Sequence, residues 1–178
     1  DLPSICLIEA GRHWFGITNN DENHPRTRRP YTGAKHSGSR QRLYGVCTIA
    51  RVMRAMVLYN PISGRGIACQ LAGEISKALL QAQVDVEFLP TEAGDPKQWL
   101  TPKLETKPDA IVAVGGDGTI RHVASALLDS GIPVYHAASG TENLFAKSMS
   151  MSSTPVDVIA AVLAGESSVI DTATANGS

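Results

Sequence analysis

The stretch Asp109-Ala110-Ile111-Val112-Ala113-Val114-Gly115-Gly116-Asp117-Gly118-Thr119 decides the fold of this chain. Its apolar first part, rich in branched residues, predicts a strand that is covered on both faces of a sheet. A helix is predicted directly behind the glycines, because apolar residues recur there at helical spacing: Ile120, Val123, Ala124, Leu127 and Leu128. A strand, a glycine-rich turn and a helix N-terminus together present backbone N–H groups to an anion, so the stretch predicts a phosphate site.

Asp117 is the unusual member of this turn, since a carboxylate repels a bare phosphate. Its presence indicates either a phosphate bridged by a metal ion or a sugar hydroxyl that needs an acceptor. The alternative is a purely structural turn in which the Asp117 side chain caps the helix.

Strands and helices alternate on both sides of this stretch. Residues 84–89 alternate apolar and acidic side chains, which predicts a half-exposed strand near an edge of the sheet. The alternation predicts an α/β fold with a three-layer, parallel-rich, Rossmann-like sheet. Strands are predicted at 56–60, 84–89, 109–114, 132–138 and 168–171, and helices at 67–82, 96–104, 120–128 and 155–164, with a further helix carrying Leu144, Phe145 and Ala146.

The first 54 residues differ in composition from the rest. They carry nine Lys or Arg against four Asp or Glu, and residues 11–42 are rich in Asn, Gly, Ser and Pro without an apolar period. We therefore expect 1–54 to be a disordered or poorly ordered basic segment, most simply a solvated one. Because Met53 and Met56 stand just before the first convincing strand, we also expect the native product to start near Met53.

Overall composition excludes several classes of protein. With 178 residues, 43% of them apolar, the chain is long enough for one ordinary domain, and its net charge of −1 does not favour a nucleic-acid partner. No apolar run approaches the roughly 20 residues of a membrane span. The three cysteines lack Cys-x-x-Cys spacing and are typical of reduced thiols, which predicts a cytoplasmic location.

Four loops with polar or glycine-rich residues follow the predicted strands, where a doubly wound sheet binds its ligands. They are 60–64, 91–95, 115–119 and 139–143. Hydroxyl groups in these loops offer hydrogen bonds to phosphate oxygens, and the amides of Asn60 and Asn143 offer them to a base or a ribose. The hydroxyls belong to Ser63, Thr91, Thr119 and Thr141.

Two better-known phosphate motifs do not fit. A Walker A loop does not occur in the sequence. The stretch Gly64-Arg65-Gly66-Ile67-Ala68-Cys69 approaches the dinucleotide fingerprint Gly-x-Gly-x-x-Gly, but Cys69 replaces the third glycine. An NAD-dependent oxidoreductase is therefore a weak alternative.

Three motifs in order resemble the catalytic domain of the diacylglycerol kinase family, which includes bacterial lipid kinases and sphingosine kinases. They are Asn60-Pro61-Ile62-Ser63-Gly64, Gly115-Gly116-Asp117-Gly118-Thr119 and Gly140-Thr141-Glu142-Asn143. The resemblance implies ATP and Mg²⁺ as cofactors and a lipid hydroxyl as phosphoryl acceptor. It also implies that the protein contacts the membrane peripherally to reach this lipid and that it takes part in phospholipid metabolism. The same resemblance implies that Asp117 is the catalytic residue, and it leaves the metal ligands unassigned. The residues that it implies for the nucleotide site are Asn60, Pro61, Ile62, Ser63, Gly64, Thr91, Val114, Gly115, Gly116, Asp117, Gly118, Thr119, Ile120, Gly140, Thr141 and Asn143.

The chain departs from this family's pattern at two places near the third motif. Leu144 stands where family members commonly carry Asp, and His136-Ala137-Ala138-Ser139 occupies the approach to the loop, where a proline is usual. The resemblance also implies a second, β-rich domain that supplies lipid binding, the acidic Mg²⁺ ligands and the catalytic acid–base carboxylate. We expect 55–171 to be the ATP-binding domain and 172–178 the truncated start of that second domain, so that the chain is an incomplete nucleotide-binding fragment.

Two other functions stay open. An NAD kinase shares the Gly-Gly-Asp-Gly-Thr loop, although its usual next motif, Asn-x-Gly-x-x-Gly-Phe, is replaced here by residues 140–145. A non-catalytic nucleotide-binding module or pseudoenzyme is the second alternative.

Overall fold

The computed structural model of the protein describes residues 3–9 and 52–172. Within them, six strands form one sheet in the order β3-β2-β4-β5-β1-β6, and all neighbouring pairs are parallel except β1 with β6. The strands are β1 Ser4–Ile8, β2 Arg54–Tyr59, β3 Asp85–Pro90, β4 Ala110–Gly115, β5 Val134–Ala138 and β6 Ser167–Asp171.

Five α-helices accompany the sheet in the described part of the chain. Because the crossovers β2-α1-β3 and β4-α3-β5 run in opposite directions along the sheet, right-handed connections put α1 and α3 on opposite faces. Helix α5 packs on α1, and α2 packs on α3. The predicted three-layer α/β fold is confirmed. The helices are α1 Ile67–Gln81, α2 Pro96–Leu100, α3 Asp117–Leu127, α4 Leu144–Ser148 and α5 Pro155–Ala164, with 3-10 turns at Ser63–Gly66 and Thr101–Thr106.

Strands β4 and β2 are buried over most of their length, as their apolar sequences predict. All six residues of β4 are buried, and so are Ala55 to Leu58 of β2. Strand β3, with its alternation of apolar and acidic side chains, lies at an edge of the sheet as predicted. The local sequence patterns therefore predict the positions of the strands that precede the loops of the candidate site.

Strand β1 is the main departure from the sequence-based expectation. Composition predicts a poorly ordered segment over residues 1–54, which is wrong for Ser4–Ile8. These residues lie inside the sheet between β5 and β6, with Ile5, Leu7 and Ile8 only 2–3% exposed. Five register pairs join it to β6, from Ser4 opposite Asp171 to Ile8 opposite Ser167. The expectation for 10–51 lies outside the described residues.

None of the helices in the described ranges is long and apolar enough to cross a membrane.

Candidate functional site

Three loops are joined at the carboxyl edge of the sheet by backbone hydrogen bonds. The N–H of Asn60, after β2, donates to the carbonyl of Val114 in β4 at 3.0 Å. The N–H of Ser139, after β5, donates to the carbonyl of Gly115 at 2.8 Å. The register of the parallel strands thus brings the three motifs that are far apart in sequence to one place.

Glycines let these loops approach more closely than any other residue permits. A Cβ on Gly140 would lie 2.7 Å from the Cα of Gly116, and a Cβ on Gly64 would lie 2.5 Å from the carbonyl oxygen of Ser139. Gly64 also has a φ of +59°, which disfavours residues with a side chain. Each of the three motifs therefore contributes a glycine where backbone meets backbone.

The two asparagines that the sequence offers to a base or a ribose are engaged within the loops instead. The Asn60 amide donates to Thr119 Oγ1 at 3.2 Å, and its oxygen accepts from the Ile62 N–H at 3.1 Å. The Asn143 amide bonds both the N–H and the carbonyl of Gly140, each at 2.9 Å. Both side chains therefore fix the shape of the loops.

Asp117 begins helix α3 and links it to helix α4. Its two carboxylate oxygens accept one backbone N–H each, from Leu144 at 3.0 Å and from Phe145 at 2.9 Å. The hydrogen bond from Phe145, followed by that from Leu144, lowers the pKa of Asp117 below its usual 3.8, although partial burial opposes this. Asp117 is thus ionised at neutral pH and connects the second motif to the residues after the third.

His136, which the sequence assigns to a strand, lies in β5 beneath these loops and is fully buried. Burial lowers the pKa of His136 below 6.5, so the ring is neutral at pH 7. Its Nε2 lies 3.0 Å from the carbonyl oxygen of Gly115, which assigns the ring proton to Nε2 as the donor. Gly115 is thereby held by both His136 and Ser139.

A cavity of about 460 Å³ opens beside the N-terminus of α3. Six of its lining residues belong to the predicted site, and three do not. The predicted ones are Asn60, Pro61, Ile62, Thr91, Gly118 and Thr119, and the additional ones are Glu92, Ala93 and His122. Their proximity to predicted site residues could have identified these three residues from the sequence. Glu92 and Ala93 directly follow Thr91, and His122 lies one helical turn beyond Thr119.

The remaining predicted residues lie outside this cavity. Val114 and Ile120 are buried in the core, where they support the turn between them. Thr141 lies exposed on the loop after β5, next to Gly140. No group of three or more potential metal-binding side chains occurs in the ranges that the structure describes, and the metal ligands stay unassigned.

Parallel strands with glycine-rich loops at their carboxyl edge are typical of doubly wound α/β proteins, in which ligands bind at this edge as a rule. The sequence profile of the diacylglycerol kinase catalytic domain matches residues 54–175. The chain belongs to this family of lipid kinases.

Individual relatives agree with this assignment. The chain is 33% identical over 99 residues to a diacylglycerol kinase of Bacillus subtilis strain 168, covering 54% of this chain and 33% of the relative. It is 31% identical over 91 residues to a diacylglycerol kinase of Mycobacterium tuberculosis strain H37Rv, covering 51% of this chain and 29% of the relative. The chain thus spans about a third of the length of these curated relatives.

A solved structure shows the same similarity. The chain is similar to "a putative diacylglycerol kinase from Bacillus anthracis str. Sterne", with a TM-score of 0.50 and 25% identity. The match covers 64% of this chain and 41% of that one.

Proposed function

We propose that this chain binds Mg·ATP at the carboxyl edge of its sheet and supplies the nucleotide-binding part of a lipid kinase of the diacylglycerol kinase type. The observation that carries the proposal is the contact of three loops through Gly64, Gly116 and Gly140. Their close approach brings backbone of the three loops together at the N-terminus of α3. Such a surface favours a polyphosphate.

The side chains at this junction suit the same ligand. The hydroxyl of Ser139 is buried there and has no hydrogen-bond partner within the described ranges. A buried hydroxyl without a partner costs about 1–3 kcal/mol, and a phosphate oxygen would satisfy it. Ser63, Thr119 and Thr141 place further hydroxyls on the same loops, and we propose that these groups hold the phosphates.

Asp117 is the proposed catalytic residue. A carboxylate has about four acceptor positions, and the two backbone N–H groups use two of them. Because its pKa is lowered, Asp117 is a poor proton acceptor at neutral pH, so we propose that it binds Mg²⁺ or water on Mg²⁺. ATP supplies the phosphoryl group, and the protein contributes position and charge.

Calorimetric titration with Mg·ATP tests the nucleotide site. We expect the wild-type chain to bind and Asp117→Asn to bind at least tenfold more weakly. Asp129→Asn is the matched control, because Asp129 also accepts a backbone N–H, from Ser4 at 3.0 Å, but lies beyond the opposite end of α3. Absence of Mg·ATP binding by the folded wild type would refute the proposal.

A transfer assay tests the acceptor and separates the alternatives. Labelled γ-phosphate is offered together with diacylglycerol vesicles and NAD. We expect label in the lipid and association of the chain with the vesicles as a peripheral protein. Label in NAD would favour an NAD kinase, and binding without transfer would favour an incomplete fragment or a non-catalytic module.

A further inference from the structure

We infer that His136 is a positioning residue for Asp117. Its Nε2–H group holds the Gly115 carbonyl ahead of Asp117, and its ring supports the start of helix α4, which receives the Asp117 carboxylate. The inference rests on the proposed function, since it concerns how the proposed catalytic residue is held in place. His136 belongs to none of the three motifs.

The turn that carries Asp117 has little restraint of its own. Asp117 is surrounded by Gly115, Gly116 and Gly118, and glycine has no side chain to limit its backbone angles. The Gly116 carbonyl accepts the N–H of Thr119 at 2.9 Å, so the peptide before it also sets the start of helix α3. The direction of the Gly115 carbonyl therefore affects where Asp117 lies, and contacts from elsewhere in the fold must fix it.

His136 supplies such a contact from the neighbouring strand. Its Nε2 lies 3.0 Å from the carbonyl oxygen of Gly115, which also accepts the N–H of Ser139 at 2.8 Å. A backbone carbonyl has two lone pairs, so these two donors use both of them. His136 itself lies in β5 and is fully buried, which leaves its ring little freedom to move. The peptide that leads into Asp117 is thereby fixed on the side of β5.

The same ring also lies beside the segment that holds the Asp117 carboxylate. The ring centroids of His136 and Phe145 are 5.9 Å apart, with an interplanar angle of 47°. The N–H groups of Leu144 and Phe145, which donate to Asp117, belong to the first turn of α4. Such N–H groups have no partner within their own helix. His136 therefore contacts both the backbone before Asp117 and the helix that receives its side chain.

A positioning role explains why a histidine occupies this place in the core. The Nδ1 atom of His136 is buried and has no hydrogen-bond partner within the described ranges. A buried polar atom without a partner lowers stability, and an apolar side chain of similar size would avoid this cost. Natural proteins accept such costs mainly at functional sites. What His136 offers over an apolar residue is the hydrogen bond from Nε2 to Gly115.

The test uses NMR on the full chain, labelled with ¹⁵N, at pH 7. Because the N–H groups of Leu144 and Phe145 depend on Asp117 for a partner, their hydrogen-exchange rates report whether Asp117 is in place. His136→Phe keeps a ring but lacks the N–H donor. We expect it to raise both exchange rates about tenfold and to weaken Mg·ATP binding, measured by calorimetry, about tenfold.

His136→Gln is the conservative variant that should restore these values. Its amide nitrogen is the same number of bonds from Cα as Nε2 of histidine and can donate to the Gly115 carbonyl. Should His136→Phe fail to fold, His136→Leu, which removes the donor without adding volume, replaces it.

Tyr135→Phe is the matched control. Tyr135 is the preceding residue of β5, is equally buried, and donates to the Ser152 carbonyl at 2.8 Å from the opposite face of the strand. This variant therefore also loses one hydrogen bond to a backbone carbonyl. It should leave the exchange rates of Leu144 and Phe145, and the affinity for Mg·ATP, as they are in wild type.

Unchanged exchange at Leu144 and Phe145 in the variant that lacks the His136 donor would overturn the inference. Faster exchange there in Tyr135→Phe as well, or a failure of His136→Gln to restore the rates, would also overturn it. If the folded wild type binds no Mg·ATP while the exchange rates respond as expected, the proposed function fails and the placement of Asp117 by His136 stands.

Discussion

Replacing Gly140 by alanine should disrupt the junction of the three loops, whereas the same change at Gly116 should be tolerated. A Cβ at position 140 would lie 2.7 Å from the Cα of Gly116 and 3.0 Å from Asn143 Oδ1. Carbon atoms pack at about 3.5–4.0 Å, so the two loops must separate by roughly 1 Å. In the opposite direction, a Cβ on Gly116 would lie 3.5 Å from the Cα of Gly140, an ordinary contact.

The magnitudes follow from this geometry. Forcing an additional methyl group into a packed junction costs about 1–3 kcal/mol, and a displacement near 1 Å lowers catalysis about 100-fold. For Gly140→Ala we therefore expect a lower urea midpoint and at least tenfold weaker Mg·ATP binding. Gly116→Ala should lose less than about 1 kcal/mol, the scale of a change at the start of a helix.

The control is Gly73→Ala in the middle of α1, where an added Cβ meets nothing within 4 Å. It should raise the free energy of unfolding by about 0.5–1 kcal/mol, because alanine is the better helix former. Urea unfolding and calorimetry on the three variants measure both effects. If Gly140→Ala is as stable as Gly116→Ala, the close approach of the loops is not what requires glycine at position 140.

Three further predictions concern single side chains. Asp117→Asn should lower the free energy of unfolding by about 1 kcal/mol, because one carboxylate oxygen that accepts a backbone N–H is lost; an unchanged urea midpoint would contradict this role. The free energy of unfolding should fall as the pH drops below 6.5, because His136 binds a proton in the unfolded chain but not when its ring is buried. In His136→Phe, the urea midpoint should therefore change less between pH 7.5 and 5.5 than it does in wild type. Leu7→Ala should cost about 2–5 kcal/mol, because Leu7 is buried in a strand inside the sheet, whereas Cys6→Ala, on the less buried face of β1, should cost less. Equal urea midpoints for wild type and Leu7→Ala would contradict this prediction.

The sequence alone predicted the repeating units of the fold. The apolar run before Gly115 is buried in a central strand, and the alternating run 84–89 forms an edge strand, as their periodicities required. The motifs that carry the family resemblance lie at the ends of these strands. Each of these features depends on neighbours within a few residues, so it can be read along the chain.

Strand β1 could not be predicted in this way. Ser4–Ile8 is a five-residue segment whose partners β5 and β6 lie more than 120 residues away. The alternation of predicted strands and helices that indicates the other strands does not extend to Ser4–Ile8, because no apolar period runs through the residues that follow it. Its burial follows from the space between two strands of the folded sheet.

The same distinction between local sequence patterns and tertiary contacts applies to the candidate site. Sequence determined which loop residues could meet a phosphate, because glycines and hydroxyls after strands are local features. Tertiary structure decided what each polar side chain does: Asn60 and Asn143 brace the loops, and Asp117 reaches Leu144 and Phe145. The cavity residue His122 acquires its support from Trp99 in the same way. The physical reason is that a side chain's hydrogen bonds and packing depend on groups brought near it by strand register and helix packing, which no local pattern contains.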